Sequence, residues 1–172
     1  IGFAEFRDLG PRAKFGRYPV HFHRVGEIGG EAGFLVDGAS VWQSTSEPGN
    51  KFYVIHGTEG VTVRDSVGYN AQGAGFYLED ANELGNRLER NLGVRVHFPE
   101  ELPGVPAFDF NYSELSSAIF WGREGNEFID NVAVGAGSQA VAFQITPNKR
   151  ETTGFTTLFQ GTEVHSGDTA LI

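Results

Sequence analysis

Cysteine and methionine are both absent from this sequence of 172 residues. Without cysteine there is no disulfide framework and no thiolate metal site, although a large secreted repeat protein holds together without disulfides. No stretch approaches the roughly 20 apolar residues that a membrane-spanning helix needs, so no transmembrane segment is expected. Basic residues are few: 13 Lys and Arg stand against 22 Asp and Glu, a formal charge of −9. That deficit argues against nucleic acid as a partner, since phosphate binding needs clustered cations. An anionic polysaccharide would need a local arginine cluster or a bridging cation, which net charge does not forbid. No signal-peptide pattern opens the chain at Ile1, which reads as a mature product or an internal segment.

What is abundant is glycine, 24 residues, and phenylalanine, 15. Short apolar stretches separated by glycine point to β-structure, because glycine weakens helix interiors and supplies positive φ in turns. One pattern recurs: an apolar residue, two mostly polar ones, a short polar one, then an apolar-small pair. It reads VRDSVG from Val63, LERNLG from Leu88 and FIDNVA from Phe128, with looser copies EFRDLG from Glu5, VWQSTS from Val41 and FQGTEV from Phe159. The fourth positions are Asp8, Ser44, Ser66, Asn91, Asn131 and Thr162, all able to bond a turn backbone and to stack as a polar ladder. Spacings are 63 − 41 = 22, 88 − 63 = 25, 128 − 88 = 40 and 159 − 128 = 31 residues. Such periods fit a β-solenoid whose excess length loops out on one face.

The expectation is an all-β, right-handed, single-stranded parallel β-helix of about six coils. It would form one domain over residues 1–172, a segment of a longer protein, with a loop insertion near residues 97–115. Solenoid ends need covering. The apolar termini, Ile1 and Ala170-Leu171-Ile172, therefore lead us to expect further chain or a partner over at least one end.

A second set of strands follows from period-two alternation. YPVHFH from Tyr18 turns Val20 and Phe22 inward and His21 and His23 outward; GFYLED from Gly75 turns Phe76 and Leu78 inward and Tyr77 and Glu79 outward. AVAFQI from Ala140 turns Val141, Phe143 and Ile145 inward, with Ala142 and Gln144 outward. Aligning Tyr18 with Tyr53 in FYVIHG sets His56 over His21, and Tyr77 and Glu79 over the His21 and His23 columns, with Asp80 beside them. Three histidines and two carboxylates on one outer wall can act in acid–base catalysis. The trio His21, His23 and His56 can alternatively ligate a divalent metal, calcium or zinc. Arg17, Arg95 and His97 are candidates to grip an anionic sugar group, and Tyr18, Tyr77 and Trp121 to stack on sugar rings. His165 reads as a turn residue. Asp37, Asp65 and Asp109 form a weaker carboxylate set, since Asp65 sits at a turn position where acids are commonplace.

The run GRYPVHFHRVGE (Gly16 to Glu27), with IHGTEGVTVRDSVGYNAQGAGFYLED (Ile55 to Asp80) and NLGV (Asn91 to Val94), resembles one family. It is similar to the β-helix region of the cell-migration-inducing hyaluronan-binding protein and cell-surface hyaluronidase family, with its bacterial relatives. The resemblance is close over residues 3 to 96 and looser through SSAIFW and NEFIDNVAVGAG. It implies a right-handed parallel β-helix, extracellular or cell-surface placement, and depolymerisation of hyaluronan or a related glycan, calcium-assisted in animal members. Matched by motif, it implies functional roles for Arg17, His21, His23, His56, Glu79 and Asp80. Hydrolase and lyase chemistry both remain open, as does a non-catalytic carbohydrate-binding or adhesive solenoid.

Overall fold

A computed structural model describes residues 1–11, 16–27, 33–43, 49–97, 117–137, 140–150, 156–167 and 169–171. Among these there are eighteen strands and no helix. β1 (Glu5–Arg7) precedes a first full coil of β2 (Val20–Glu27), β3 (Phe34–Asp37) and β4 (Ser40–Trp42). The short β5 (Gly49–Asn50) leads to β6 (Tyr53–Glu59), β7 (Val61–Arg64) and β8 (Val67–Gln72). The next coils are β9 (Ala74–Leu78), β10 (Arg87–Glu89) and β11 (Leu92–His97), then β12 (Ser117–Arg123), β13 (Glu127–Ile129) and β14 (Val132–Ala136). β15 (Ala140–Thr146), β16 (Leu158–Gln160) and β17 (Glu163–His165) follow, and β18 (Thr169–Leu171) begins another.

Every strand pair is parallel, and each coil contributes one strand to each of three sheets. One sheet runs β1-β4-β8-β11-β14-β17 with β5 beside β8, a second β16-β13-β10-β7-β3, and a third β18-β15-β12-β9-β6-β2. This is the parallel β-helix expected from the repeat, and six successive strands along the first sheet match the expected number of coils. No described helix is long and apolar enough to cross a membrane.

The repeat motif straddles the bend between the second and first sheets. Val63, Leu88, Phe128 and Phe159 pair in one row, as the sequence alignment requires. The third motif residue is left-handed on every coil: Gly38, Asp65, Arg90, Asp130 and Gly161 have φ between 50° and 63°. Glycine adopts that backbone freely and aspartate tolerates it. The residue after it builds the ladder. Asn91 Oδ1 accepts from the Ser66 amide at 3.1 Å, and its Nδ2 donates to the Val63 carbonyl at 2.8 Å. Asn131 repeats both contacts one coil on, to the Asn91 amide and the Leu88 carbonyl. A second asparagine ladder, Asn86 and Asn126, holds the next bend. Each such bond contributes about 1 kcal/mol net, and more is lost when a buried partner is orphaned.

Two looser motif copies are out of step. Val63 pairs with Val36, not Val41, so the first interval is 63 − 36 = 27 residues, and Ala39, whose amide donates to Ser66 Oγ, holds the ladder position. Glu5 pairs with Ser40 and thus sits in the Val67 row, not the Val63 row, which removes Asp8 from the ladder. The counterpart of VRDSVG on this coil is VDGASV from Val36, with glycine at the left-handed site. Ser44 and the expected insertion, apart from His97, lie outside the described residues.

The interior is an aromatic stack. Tyr53, Phe76, Phe120 and Phe143 lie face to face at centroid spacings of 4.8, 4.6 and 4.8 Å. Gly68 and Gly93 face this stack from the first sheet; an added Cβ would overlap Phe52 and Ile119 respectively. Alternation fails on β15, where Val141 joins an outer apolar cluster and Ala142 turns into the core. The paired strand β12 likewise sends adjacent Ile119 and Phe120 inward.

Candidate functional site

β2, β6 and β9 lie side by side and carry the outward histidines and carboxylates on one wall. The parity expected from sequence holds, but the register is shifted by two residues. Val20 pairs with Tyr53, so His56 lies over His23, and Val54 over His21. Tyr77 continues the His21 column through Val54, while the Glu79 amide bonds the Ile55 carbonyl at 2.9 Å, placing Glu79 beyond His56. Tyr18 precedes β2, whose ladder with β6 begins at the pair Val20–Tyr53.

The three imidazoles still meet. His23 and His56 have centroids 4.6 Å apart, His21 and His23 4.9 Å, and His21 and His56 6.0 Å. One nitrogen from each ring falls within 4.8 Å of the others. The ring of His56 is bracketed by acids: Nδ1 is 3.4 Å from Glu79 Oε2 and Nε2 is 2.9 Å from Asp80 Oδ2. The Tyr18 hydroxyl donates to Glu79 Oε1 at 3.4 Å. Burial raises the Glu79 carboxyl above the ordinary carboxylate range, outweighing the opposing pull of His56 and Lys51. Burial, with His23 and His56 adding like charge, lowers His21 to about 4, so this ring is neutral at pH 7.

A β-bulge completes the wall. Between the pairs His23–His56 and Gly26–Thr58, β2 spends two residues, Arg24 and Val25, against the single Gly57 of β6. Arg24 takes φ 51°, and the Val25 amide donates to Thr58 Oγ1 at 3.1 Å. The bulge re-aims Arg24 across the wall, as bulges beside functional sites do, and its Nε reaches 3.4 Å from His56 Nε2. Gly57, itself at φ 51°, leaves room for the Arg24 chain and for Asp80.

Beneath the wall, fully buried Glu83 accepts the amides of Gly57 at 3.0 Å, Asp80 at 2.7 Å and Asn82 at 3.1 Å. One carboxylate thus ties the turn carrying Asp80 to the strand carrying His56. Lys51, 1% exposed, places its Nζ 4.4 Å over the Tyr77 ring and 5.6 Å from that of Tyr18. Sequence reasoning missed Arg24, Lys51 and Glu83. Arg24 follows the His-x-His directly, but only the bulge aims it inward, and a bulge has no signature in that run. Glu83 looks like one acid among several in LEDANE.

Several expected ligand-gripping residues fall elsewhere. Tyr18, Tyr77 and Trp121 are not sugar platforms: they are 8, 1 and 3% exposed, packed with Val54, Ala74, Ala118 and Val141 in an outer apolar cluster. Outward alternation means solvent only where nothing packs on the sheet. Arg95 and His97 belong to β11 in the first sheet, where they meet Tyr69 and Asn70, away from the imidazole strands. Arg17 is exposed just before β2, close in sequence to the histidines. Asp37 and Asp65 pair with Arg64 and Arg90 as surface ion pairs, and Asp109 lies outside the described residues. His165 is exposed in β17 facing Glu163, a strand residue rather than the expected turn residue.

The match to known proteins agrees with this architecture. A sequence profile of the CEMIP β-helix matches residues 1–165. The human cell surface hyaluronidase CEMIP2 is 36% identical over 161 residues, covering 79% of this chain and 11% of the relative. A cell surface hyaluronidase of Danio rerio is 30% identical over 126 residues, covering 71% of this chain and 9% of the relative. Human fibrocystin-L is 29% identical over 138 residues, 80% of this chain and 3% of its own length. The chain therefore spans about a tenth of the two hyaluronidases it resembles. Register, wall and profile converge on one conclusion: this chain belongs to the CEMIP β-helix family.

Proposed function

We propose that this β-helix is the glycan-processing element of an extracellular or cell-surface protein. Its wall of His21, His23, His56, Glu79 and Asp80 is where an acidic polysaccharide of the hyaluronan type is cut. The observation that carries the reading is the convergence, from three successive coils, of three imidazoles and two carboxylates, with His56 held between both acids. Relatives named cell surface hyaluronidases support the substrate class.

Cleavage needs a proton for the departing glycosidic oxygen and a base on the other side of the reaction. Glu79, sheltered and bonded to Tyr18, is the proton donor; a histidine of the wall is the base. In hydrolysis that base activates a water, and in elimination it removes the C5 proton of a uronic acid. Arg24 and Arg17, both exposed, are suited to grip the glycan carboxylates through their planar guanidinium forks. This local positive charge reconciles an acidic chain with an acidic substrate.

The test is incubation of the chain with hyaluronan and other acidic polysaccharides, following new reducing ends and ultraviolet absorbance. Unsaturated products mark elimination; reducing ends alone mark hydrolysis. Glu79→Gln and His56→Ala should each reduce cleavage roughly 100-fold or more while circular dichroism stays unchanged. Retention of the polymer without cleavage would instead favour the non-catalytic carbohydrate-binding solenoid.

A further inference from the structure

We infer that His21, His23 and His56 form a binding site for one first-row divalent cation of the zinc type, not for calcium. The inference deepens the reading of the same wall but does not depend on glycan cleavage.

Three features of the chain carry it. First, nitrogens of His21, His23 and His56 already stand within 4.8 Å of one another. A tetrahedral ion bound at roughly 2.0–2.1 Å asks for ligand nitrogens about 3.4 Å apart, so modest side-chain rotation closes the trio. Second, His21 Nε2 is buried without a hydrogen-bond partner. An orphaned buried ring nitrogen is costly and rare unless something else uses its lone pair. The backbone of Gly16 hydrogen-bonds the same ring, a bond that falls to the other nitrogen and leaves Nε2 as the acceptor. Backbone bonding of one nitrogen is how metal-binding imidazoles are oriented. Third, His56 has a carboxylate at each nitrogen, Glu79 at Nδ1 and Asp80 at Nε2. When Nδ1 ligates, Nε2 keeps Asp80 at 2.9 Å, a partner that fixes the tautomer and strengthens the donor.

Donor chemistry selects the ion. Imidazole nitrogen suits zinc and its neighbours, whereas calcium takes six to eight oxygen ligands. The acidic side chains of Glu79 and Asp80 beside the rings complement a dication; Arg24 offsets part of that from the bulge. When bound, such an ion supplies Lewis acidity or a water of lowered pKa. The chain's part is to hold three donors on adjacent rungs and to keep an acid against His56.

The full chain, stripped with chelator and exchanged into metal-free buffer, is titrated with cobalt(II) and followed by its visible absorption, then with zinc in a calorimeter. The expected result is one equivalent per chain, an intense cobalt spectrum characteristic of nitrogen-rich tetrahedral sites, and no displacement by a large excess of calcium, whose donors are oxygens. His23→Ala, on an exposed ring, should weaken zinc binding about 100-fold or more; His56→Ala should do the same, and Glu79→Gln about 10-fold. Should His56→Ala fail to fold, His23→Ala decides alone. Absence of the cobalt spectrum in the folded chain, binding unchanged in His23→Ala, or displacement by calcium overturns the site. A chain that binds zinc yet leaves every glycan intact sinks the glycan reading and not this one.

Discussion

At the scale of single residues, the wall is governed by what surrounds each ionisable group. His21 is held neutral by burial and by its two histidine neighbours, its pKa lowered to about 4 from 6.5. The unfolded chain therefore binds a proton that the folded metal-free chain refuses between those values, and folding stability must fall as pH drops through that window. Above about 6.5 the contribution is flat. A shift of this size corresponds to at most about 3 kcal/mol, reduced by solvent screening of a partly exposed ring. Urea unfolding of metal-free protein at pH 7 and pH 5 should show the loss, and His21→Gln should lessen it; equal slopes in both proteins would contradict the assignment. Glu83 permits a second expectation. Its two oxygens serve three backbone amides in a fully buried site, so Glu83→Ala should cost about 3–5 kcal/mol by denaturant titration, as each orphaned donor loses its partner. A loss under 1 kcal/mol would mean the amides find substitutes. None of this was legible in the sequence, because burial and backbone pairing are properties of the packed coil.

At the scale of strands and bends, much was legible. VRDSVG, LERNLG and FIDNVA align as read because each carries the full set of signals: an inward apolar residue, a residue able to adopt positive φ, and a polar rung. The copies that misaligned, from Glu5 and Val41, belong to strands of the first sheet, one strand on from the anchor row. Parity of β2 and β6 was correct while their register was not, since a shift of two preserves which face a residue takes. The bulge after His23 could not be foreseen. The glycines of the first sheet have a role visible only across the core, and it is testable. In Gly68→Ala the new methyl would overlap the Phe52 ring, and overpacking should cost about 1–3 kcal/mol. Thermal unfolding reports it; an unchanged Tm would mean that the ring yields freely.

At the scale of the whole molecule, stability should pass from coil to coil, since each coil packs only on its neighbours. Phe76 lies mid-stack between Tyr53 and Phe120, whereas Phe159 sits on β16 near one end and is 37% exposed. Phe76→Ala should lower stability by about 3–5 kcal/mol and raise hydrogen exchange in β6 and β12 together. Phe159→Ala should raise exchange only in β15 to β18, leaving the imidazole wall protected. Uniform exchange after Phe159→Ala would show the stack to be one cooperative unit instead. The family resemblance carried the architecture, and period-two alternation carried the wall, but which outward aromatics meet solvent depended on side chains packing over the sheet.

The coil from Leu88 to Phe128 uses 40 residues where the one before it uses 25, yet Leu88 still pairs with Phe128 and Leu92 with Val132. Hydrogen-bonded rows thus keep their register across a coil longer by 40 − 25 = 15 residues. A foreign peptide spliced between β11 and β12 inherits that indifference. The sequence between β11 and β12 is a natural attachment point for a fluorescent or affinity handle, with the hydrogen-bonded strands on either side left in place.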